Sequence, residues 1–288
     1  MPSFVPEKPE PGKHQRYDNQ EKNMKSIGFI GAGNMGSAIG QGLRTAHPDL
    51  SISFYDLDAS KSEHSAKDCD GRACGSYEEL FSAAQVLVIA VKPQHLSSLF
   101  SEIQQLSGER EFISIVAGKP IRLFTEQLHT HKVIRFMPNL AAKVGESVVG
   151  ISAVDGLEAE FRETAFEAAR AIGIPVELPE ELMPAITGLS GSGIAYVFSF
   201  LHAMALGGTD AGFSYSQALE IAYATCQGAV KVLRSEGVGP AEYLTRVTSA
   251  GGTTIKGIKA LEEGGLTPTV MEAIQAAAQR AREIENEL

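Results

Sequence analysis

The stretch that decides the fold is Ser26-Ile27-Gly28-Phe29-Ile30-Gly31-Ala32-Gly33-Asn34-Met35-Gly36, a short apolar strand pattern that runs directly into a GxGxxG motif. Apolar residues then recur at helical spacing until Pro48 ends the pattern. A second strand pattern covers residues 52–56 and ends in Asp56, twenty positions after the last glycine of the motif. This order of elements predicts a dinucleotide-binding unit: a strand, the glycine motif, a helix, a second strand and a terminal acid.

Each glycine of the motif has its own predicted task. Gly31 permits a tight turn, Gly33 lets the backbone approach a pyrophosphate, and Gly36 allows the helix to pack closely on the strand. The amides at the start of that helix attract phosphate charge. Asp56 is expected to accept a hydrogen bond from the adenosine ribose, unless it is only a solvated acid of the turn. On charge alone it favours NADH over NADPH, although Lys61, if it reaches the site, offsets the repulsion of a 2′-phosphate.

The alternation of strands and helices continues beyond this unit. Further strand patterns lie at residues 86–91, 112–116, 132–136, 148–153 and 174–178. Continuous apolar runs such as residues 86–91 are typical of parallel strands covered on both faces. From residue 183 onward the strand patterns stop, and helical patterns rich in small residues occupy about residues 193–206, 216–236, 240–247, 253–263 and 268–288.

The predicted fold class is therefore α/β, in two domains. Residues 25–182 are predicted to form an N-terminal Rossmann-type dinucleotide-binding domain, and residues 183–288 an all-helical C-terminal domain for substrate binding and dimerisation. Helices with many small residues pack closely in pairs, so we expect at least a homodimer. Residues 1–24 carry four prolines and many charges with few apolar residues, which predicts a disordered N-terminal extension.

The composition argues against several classes of partner. The formal net charge is −10, from 25 Lys and Arg against 35 Asp and Glu, and this charge repels nucleic acid and anionic lipid. The longest unbroken apolar run, residues 86–91, is far shorter than the roughly 20 residues of a membrane helix. Three scattered cysteines without metal-ligand spacing, Cys69, Cys74 and Cys226, predict a reducing, cytoplasmic location and no metal site.

Two glycine-rich stretches interrupt the helical half. Ser249-Ala250-Gly251-Gly252-Thr253-Thr254-Ile255 precedes a helical pattern, and exposed amides at that point suit a small carboxylate ligand. The alternative is that its serine and threonines only cap the helix. Gly188-Leu189-Ser190-Gly191-Ser192-Gly193 precedes another helix, and we interpret it as a flexible joint rather than a ligand contact.

Several motifs taken together resemble the pyrroline-5-carboxylate reductase family. In chain order they are residues 28–36, Ala90-Val91-Lys92-Pro93-Gln94, Met137-Pro138-Asn139, residues 188–193 and residues 251–255. The likeness extends from about Lys25 to the C-terminus, and the last two motifs are its most specific part. The resemblance implies the last step of proline biosynthesis, in which NADPH or NADH reduces the cyclic imine 1-pyrroline-5-carboxylate to L-proline.

The resemblance also implies roles for individual residues. Thr254 is implied to be the catalytic residue, as hydrogen-bond partner or proton donor to the substrate nitrogen. The turn residues Gly251, Gly252, Thr253 and Thr254 are implied to hold the substrate carboxylate, with Glu236 as a substrate-side acid. The implied cofactor contacts are Ile30, Gly31, Gly33, Asn34, Met35, Gly36, Asp56, Ala90, Val91, Lys92, Pro93, Val116 and Ala117. Such a hydride transfer requires no metal and no covalent nucleophile.

Some positions depart from the family pattern. Ala250 replaces a proline, Ile194 stands where a proline is common, and Leu206 replaces an acid. Arg246 adds a charge close to the expected carboxylate site, where it either binds the substrate carboxylate or faces solvent. Two further hypotheses stay open beside the reductase: an enzyme for a related cyclic imine or a β-hydroxyacid, and a nucleotide-sensing protein without enzymatic activity.

Overall fold

In the computed structural model of this chain, the described residues are 26–108 and 110–287, so the predicted extension at residues 1–24 lies outside them. The first part alternates strands with helices, and the second part is helical. The strands are β1 (Ser26–Ile30), β2 (Ser51–Tyr55), β3 (Arg72–Ala73), β4 (Val86–Ile89), β5 (Glu111–Ser114), β6 (Val133–Met137), β7 (Ser147–Ala153) and β8 (Gly173–Glu177).

The eight strands form one sheet in the order β3-β2-β1-β4-β5-β6-β7-β8. The strands from β3 to β6 pair in parallel, β7 runs antiparallel to β6, and β8 pairs in parallel with β7. The order of the first six strands is that of the doubly wound dinucleotide-binding fold, so the predicted α/β class is confirmed. In this fold the strand order reverses between β1 and β4, and ligands bind there at the carboxyl ends of the strands.

Six helices cover the two faces of the sheet. They are α1 (Asn34–Ala46), α2 (Ala59–Asp68), α3 (Tyr77–Ala83), α4 (Leu96–Ser107), α5 (Ile121–Leu128) and α6 (Ala159–Arg170). One core lies under α1, α2 and α6, and the other lies under α3, α4 and α5. Phe54 is fully buried in the first core and Phe112 in the second. Each such burial contributes about 2–3 kcal/mol, which makes these cores the main source of stability in this half.

The helices of the second part are α7 (Met183–Ile186), α8 (Gly193–Asp210), α9 (Tyr215–Glu236), α10 (Pro240–Val247), α11 (Thr253–Glu263) and α12 (Leu266–Asn286). A short 3₁₀-helix, Glu180–Leu182, leads into α7. Helices α8 and α9 pack along each other, and α12 packs against α7 and the turn that follows it.

The glycine-rich stretch before α8 is helical rather than loop-like. Thr187–Gly191 forms a turn of π-helix that joins α7 to α8 without a break. A Cβ on Gly188 would lie only 2.6 Å from the carbonyl oxygen of Ile274 in α12. The predicted flexible joint is therefore wrong, because this glycine permits close helix packing.

The unbroken helical run at residues 180–210 is long and apolar enough, by length and composition alone, to cross a membrane. The search for an unbroken apolar run missed it because glycines and serines separate its apolar residues. Only a small share of its most apolar window is buried within this chain. Its apolar side chains therefore need cover from outside the single chain.

The helical half buries few side chains. Among the described residues from α7 onward, the buried apolar ones are Met183, Pro184, Ala205, Ala218, Ala222 and Ala278. Large apolar residues that are exposed include Val197, Phe198, Phe200, Leu206, Ile221, Val230, Leu244, Val247, Ile255, Val270 and Met271. This half presents the apolar surface that a second copy of the chain would cover.

Candidate active site

The glycine motif forms a tight turn between β1 and α1. Gly31 has a left-handed backbone with a φ of +101°, and its amide donates to the carbonyl oxygen of Tyr55 at 2.8 Å. A Cβ on Gly31 would lie 2.8 Å from the carbonyl oxygen of Ala90, and one on Gly36 would lie 2.6 Å from that of Gly31. A Cβ on Gly33 would meet nothing within 4 Å. Gly31 and Gly36 therefore serve packing, whereas Gly33 borders open space.

The start of α1 fits the pyrophosphate of a dinucleotide. Gly33 is the N-cap residue, and no side chain of the described residues caps this helix start. The amides of the first turn and the positive end of the helix dipole therefore remain available to phosphate oxygens. NADPH and NADH both carry such a pyrophosphate, so the residues present suit either cofactor.

Asp56 follows β2 and is fixed by the backbone around it. Its Oδ2 accepts a hydrogen bond from the amide of Ala32 at 2.8 Å, and its Oδ1 accepts one from the amide of Asp58 at 3.0 Å. The alternative of a purely solvated turn acid is therefore wrong. Nζ of Lys61 lies 3.7 Å from Oδ2 of Asp58, so the Asp58 carboxylate already offsets part of the positive charge of Lys61 near this site.

A cleft of about 380 Å³ opens at the carboxyl ends of β1, β2 and β4. The predicted cofactor residues that line it are Ile30, Gly31, Gly33, Asp56, Ala90, Val91 and Lys92. It is also lined by Tyr55, Leu57, Asp58, Lys61, Tyr77, His95, Ser98, Leu99 and Glu102. The mixture of apolar side chains, exposed backbone and a few charges is typical of a nucleotide site.

The other predicted cofactor residues are not part of the lining of this cleft. Asn34 lines a second cleft together with Ala32 and Gly33, and Met35 packs against the core under α1. Pro93 begins a short 3₁₀-helix after β4. Val116 is buried in the other core, and Ala117 is exposed in the turn after β5. Val116 can therefore meet a cofactor through its backbone alone.

Two tyrosines in the cleft lie far apart in the sequence. The rings of Tyr55 and Tyr77 are tilted against each other with their centroids 4.3 Å apart. Burial raises the pKa of both phenols, and the carboxylate of Glu102 raises the pKa of both further. Both tyrosines are therefore neutral hydrogen-bond donors at physiological pH.

The turn before α11 presents free backbone amides. Gly251 has a φ of +70°, and the amide of Gly252 donates to the carbonyl oxygen of Ser249 at 3.1 Å. Gly252 is the N-cap of α11, and no side chain of the described chain caps this helix start. The alternative that Ser or Thr side chains cap the helix is therefore wrong. Thr253 and Thr254 are exposed in the first turn of α11.

Glu236 is held at the end of α9 by two side chains from α10. The hydroxyl of Tyr243 donates to Oε1 of Glu236, and Nη1 of Arg246 donates to Oε2 at 3.0 Å. Arg246 also pairs with Glu242 and lies over the Tyr243 ring, 5.4 Å from its centroid. Arg246 is thus half-exposed and paired with two acids, Glu236 and Glu242.

Comparisons with known proteins follow the same division of the chain. A family model described as pyrroline-5-carboxylate reductase dimerisation matches residues 180–284, and one described as NADP oxidoreductase coenzyme F420-dependent matches residues 26–118. Pyrroline-5-carboxylate reductase of Methanosarcina acetivorans is 38% identical over 267 residues, covering 90% of this chain and 98% of that protein. The chain belongs to the pyrroline-5-carboxylate reductase family. The reductase of Aquifex aeolicus is 36% identical over 259 residues, which cover 90% of this chain and 97% of that protein.

Solved structures of this family share the fold. Pyrroline carboxylate reductase of Plasmodium falciparum, solved with NADP bound, has a TM-score of 0.82 at 26% identity, covering 91% of this chain and 98% of that one. The Coxiella burnetii reductase has a TM-score of 0.84 at 28% identity with the same coverage. The exposed apolar residues of the helical half lie within residues 180–284, the segment that the dimerisation model matches.

In this reductase family member, the two groups of predicted site residues come from different halves. All residues that line the cleft lie between Ile30 and Glu102, whereas Glu236, Arg246 and the turn at residues 251–254 belong to the helical half. Thr254 is exposed in the single chain. Within the described part of the chain, no group of three or more His, Cys, Asp or Glu is placed to hold a metal ion.

Proposed function

We propose that this protein reduces 1-pyrroline-5-carboxylate to L-proline with NADPH or NADH, the last step of proline biosynthesis. One observation carries the proposal: a dinucleotide cleft and a segment matched by the reductase dimerisation model occur in one chain that relatives match over 90% of its length. The uncapped start of α1 and the open space at Gly33 support the cofactor half of the proposal.

The bound cofactor would supply a hydride to the imine carbon. The residues around the cofactor would align its nicotinamide ring with the ring of the cyclic imine, because alignment of two bound reactants accounts for much of the rate. The amides of α1 hold the phosphates, and Asp56 holds the ribose. The turns after β4 and β5, with Ala90 to Pro93 and with Val116 and Ala117, border the rest of the dinucleotide.

The turn before α11 is the proposed substrate site. Free amides at Thr253 and Thr254, with Gly251 and Gly252 shaping the turn, bind the substrate carboxylate at the positive end of α11. The Thr254 hydroxyl lies beside the substrate nitrogen, where it acts as hydrogen-bond partner or proton donor. Glu236 balances the positive charge of the protonated imine, and Arg246 holds Glu236 in place rather than binding the carboxylate itself.

A complete site requires the two halves to meet, and we propose that a homodimer achieves this. The large apolar side chains of α8 to α12 are exposed in one chain, and no residue of α10 or α11, all of which are described, is buried. A second copy would cover this surface and surround Thr254. The thiols and the net charge of −10 suit a cytoplasmic protein without nucleic-acid or membrane partners.

The deciding experiment gives the purified protein 1-pyrroline-5-carboxylate with NADPH and NADH in separate reactions, and quantifies proline. Proline formation with either cofactor supports the proposal. If reduced cofactor binds but no proline forms, the proposal is wrong. A six-membered cyclic imine tested in parallel then identifies the related-imine alternative, and inactivity with both imines favours nucleotide sensing.

A further inference from the structure

A buried arginine joins the sheet to both ends of the helical half. Arg135 lies in β6 with only 2% of its side chain exposed. Its Nη1 donates to Oε1 of Glu180 at 3.1 Å, and its Nη2 donates to Oε1 of Glu285 at 2.5 Å. Glu180 starts the helical half, and Glu285 lies at the end of α12. One guanidinium thus ties the first and last parts of that half to the dinucleotide sheet.

The same contacts reach the turn after β5. Oε1 of Glu180 also accepts a hydrogen bond from the amide of Ile121 at 2.7 Å, so this carboxylate holds the start of α5. Next to Glu285, Ile284 packs against Gly118, which has a left-handed backbone with a φ of +66°. A Cβ on Gly118 would overlap Cγ2 of Ile284. The turn at residues 116–118 therefore has the side chain of Ile284 directly against its backbone.

This turn occupies the carboxyl edge of the sheet. The amide of Ile115 donates to the carbonyl oxygen of Ile89 at 3.1 Å, which sets the turn beside the residues that follow β4. Ala90 and Val91, which follow β4, line the dinucleotide cleft. A displacement of the turn would therefore change the part of the edge that the cofactor meets.

We propose that Ile284 and Glu285 at the end of α12 are positioning residues for the cofactor: they fix the turn at residues 116–118 and thereby set the affinity for NADPH or NADH. The proposal rests on the proposed function in one respect, that a nicotinamide dinucleotide occupies the cleft. It goes further by making the dimerisation half a determinant of cofactor binding. Neither residue touches the reacting atoms.

The test compares Ile284→Ala with Glu283→Gln. Glu283 lies one position away on the same helix, but its carboxylate is exposed and pairs with Arg280 on the surface. Arg135 stays in place, because its removal would leave the half-buried carboxylates of Glu180 and Glu285 without their partner and endanger folding. Three quantities are measured: the dissociation constant of NADPH by fluorescence titration without substrate, amide hydrogen exchange at residues 115–121, and the mass of the oligomer in solution.

We expect Ile284→Ala to raise the NADPH dissociation constant about fivefold and to speed exchange at residues 115–121, with the oligomer mass unchanged. Glu283→Gln should alter none of these quantities. In turnover assays, Ile284→Ala should raise KM for the cofactor and leave kcat near its original value at saturating cofactor. If Ile284 had a purely structural role, Ile284→Ala would lower the melting temperature without raising KM for the cofactor at an unchanged kcat.

Two results would overturn the inference. Unchanged exchange at residues 115–121 in Ile284→Ala would show that the helix end does not hold the turn. Faster exchange with an unchanged dissociation constant would show that the turn does not set cofactor affinity. Failure of the unchanged protein to bind NADPH or NADH would contradict the proposed function instead, while hydrogen exchange would still report whether α12 holds the turn.

Discussion

The two halves of this chain differ in how much of their large apolar side chains they bury. The dinucleotide half encloses large side chains on both faces of its sheet, including Phe29, Phe54, Phe112 and Phe124. The helical half buries mainly alanines within the chain and leaves residues such as Phe198 and Phe200 exposed. The difference indicates that the first half is complete as a folding unit, whereas the second half is completed by another copy.

The difference extends to the functional residues. Asp56 and the glycine turn are fixed by hydrogen bonds and backbone contacts within one chain, so the cofactor cleft is preorganised. Thr254 is exposed in the single chain. We infer that the chain alone can bind cofactor but that chemistry requires the dimer.

The largest effect should follow from a charge on the exposed apolar face of α8. Phe198 is 54% exposed, and Phe198→Glu places a carboxylate where a second copy is expected to pack. The desolvation of that charge opposes association. Light scattering should detect monomers, and proline formation should fall to background while NADPH still binds.

The control places the same charge on an exposed apolar residue of the other half. Val144 is 74% exposed and lies in a 3₁₀-helix after β6. Val144→Glu should leave both the oligomer mass and the activity unchanged. A Phe198→Glu protein that stays dimeric and active would refute the idea that this face is the interface.

Removal of the Thr254 hydroxyl should affect chemistry and spare cofactor binding. Thr254→Ala should lower kcat by about 100-fold, the usual effect of losing a single hydrogen bond to a reacting group. The NADPH dissociation constant should stay the same, because the cofactor cleft lies in the other half. Thr253→Ala, which keeps the adjacent amides, is the matched control. Unchanged kcat in Thr254→Ala would remove Thr254 from the mechanism.

Replacement of Asp56 should act on cofactor choice. Asp56→Ser removes a negative charge from the proposed ribose site and should shift the ratio of kcat/KM for NADPH over NADH upward by about tenfold, equivalent to about 1.4 kcal/mol. Asp58→Asn is the comparison, since Asp58 pairs with Lys61 beside the same site. An unchanged cofactor ratio in Asp56→Ser would show that Asp56 serves only the amides of Ala32 and Asp58.

The sequence predicted the fold well where local patterns and packing agree. The glycine motif, the buried runs at residues 86–91 and 112–116 and the terminal acid at position 56 have fixed positions along the chain, so spacing alone identifies them. It missed β3, which has two residues and no pattern of its own. It also missed Tyr77 and Glu102, which reach the cleft from α3 and α4 through tertiary packing.

The glycines at residues 188–193 were misjudged for a related reason. Glycine is compatible both with a flexible joint and with close helix packing, and only the presence of α12 beside Gly188 decides between them. The ion pairs of Arg135 could not be predicted for the same reason. A strand arginine gives no sign in the sequence that Glu180 and Glu285, separated from it by 45 and 150 residues, will bind it.

The smallest effect concerns pH and the buried thiol of the dinucleotide half. Burial raises the pKa of the Cys69 thiol to about 11, with a further contribution from the Asp68 carboxylate. Between pH 9 and pH 11 the thiol of the unfolded chain loses its proton while the folded thiol keeps it, so the free energy of unfolding falls as pH rises. The loss should begin near pH 9, grow up to about pH 11 and level off above it. Denaturant titrations of Cys69→Ala should lack this part of the alkaline decline, whereas Cys226→Ala, a change in the helical half, should retain it. Equal declines in both variants would show that the Cys69 thiol is not what destabilises the dinucleotide half at high pH.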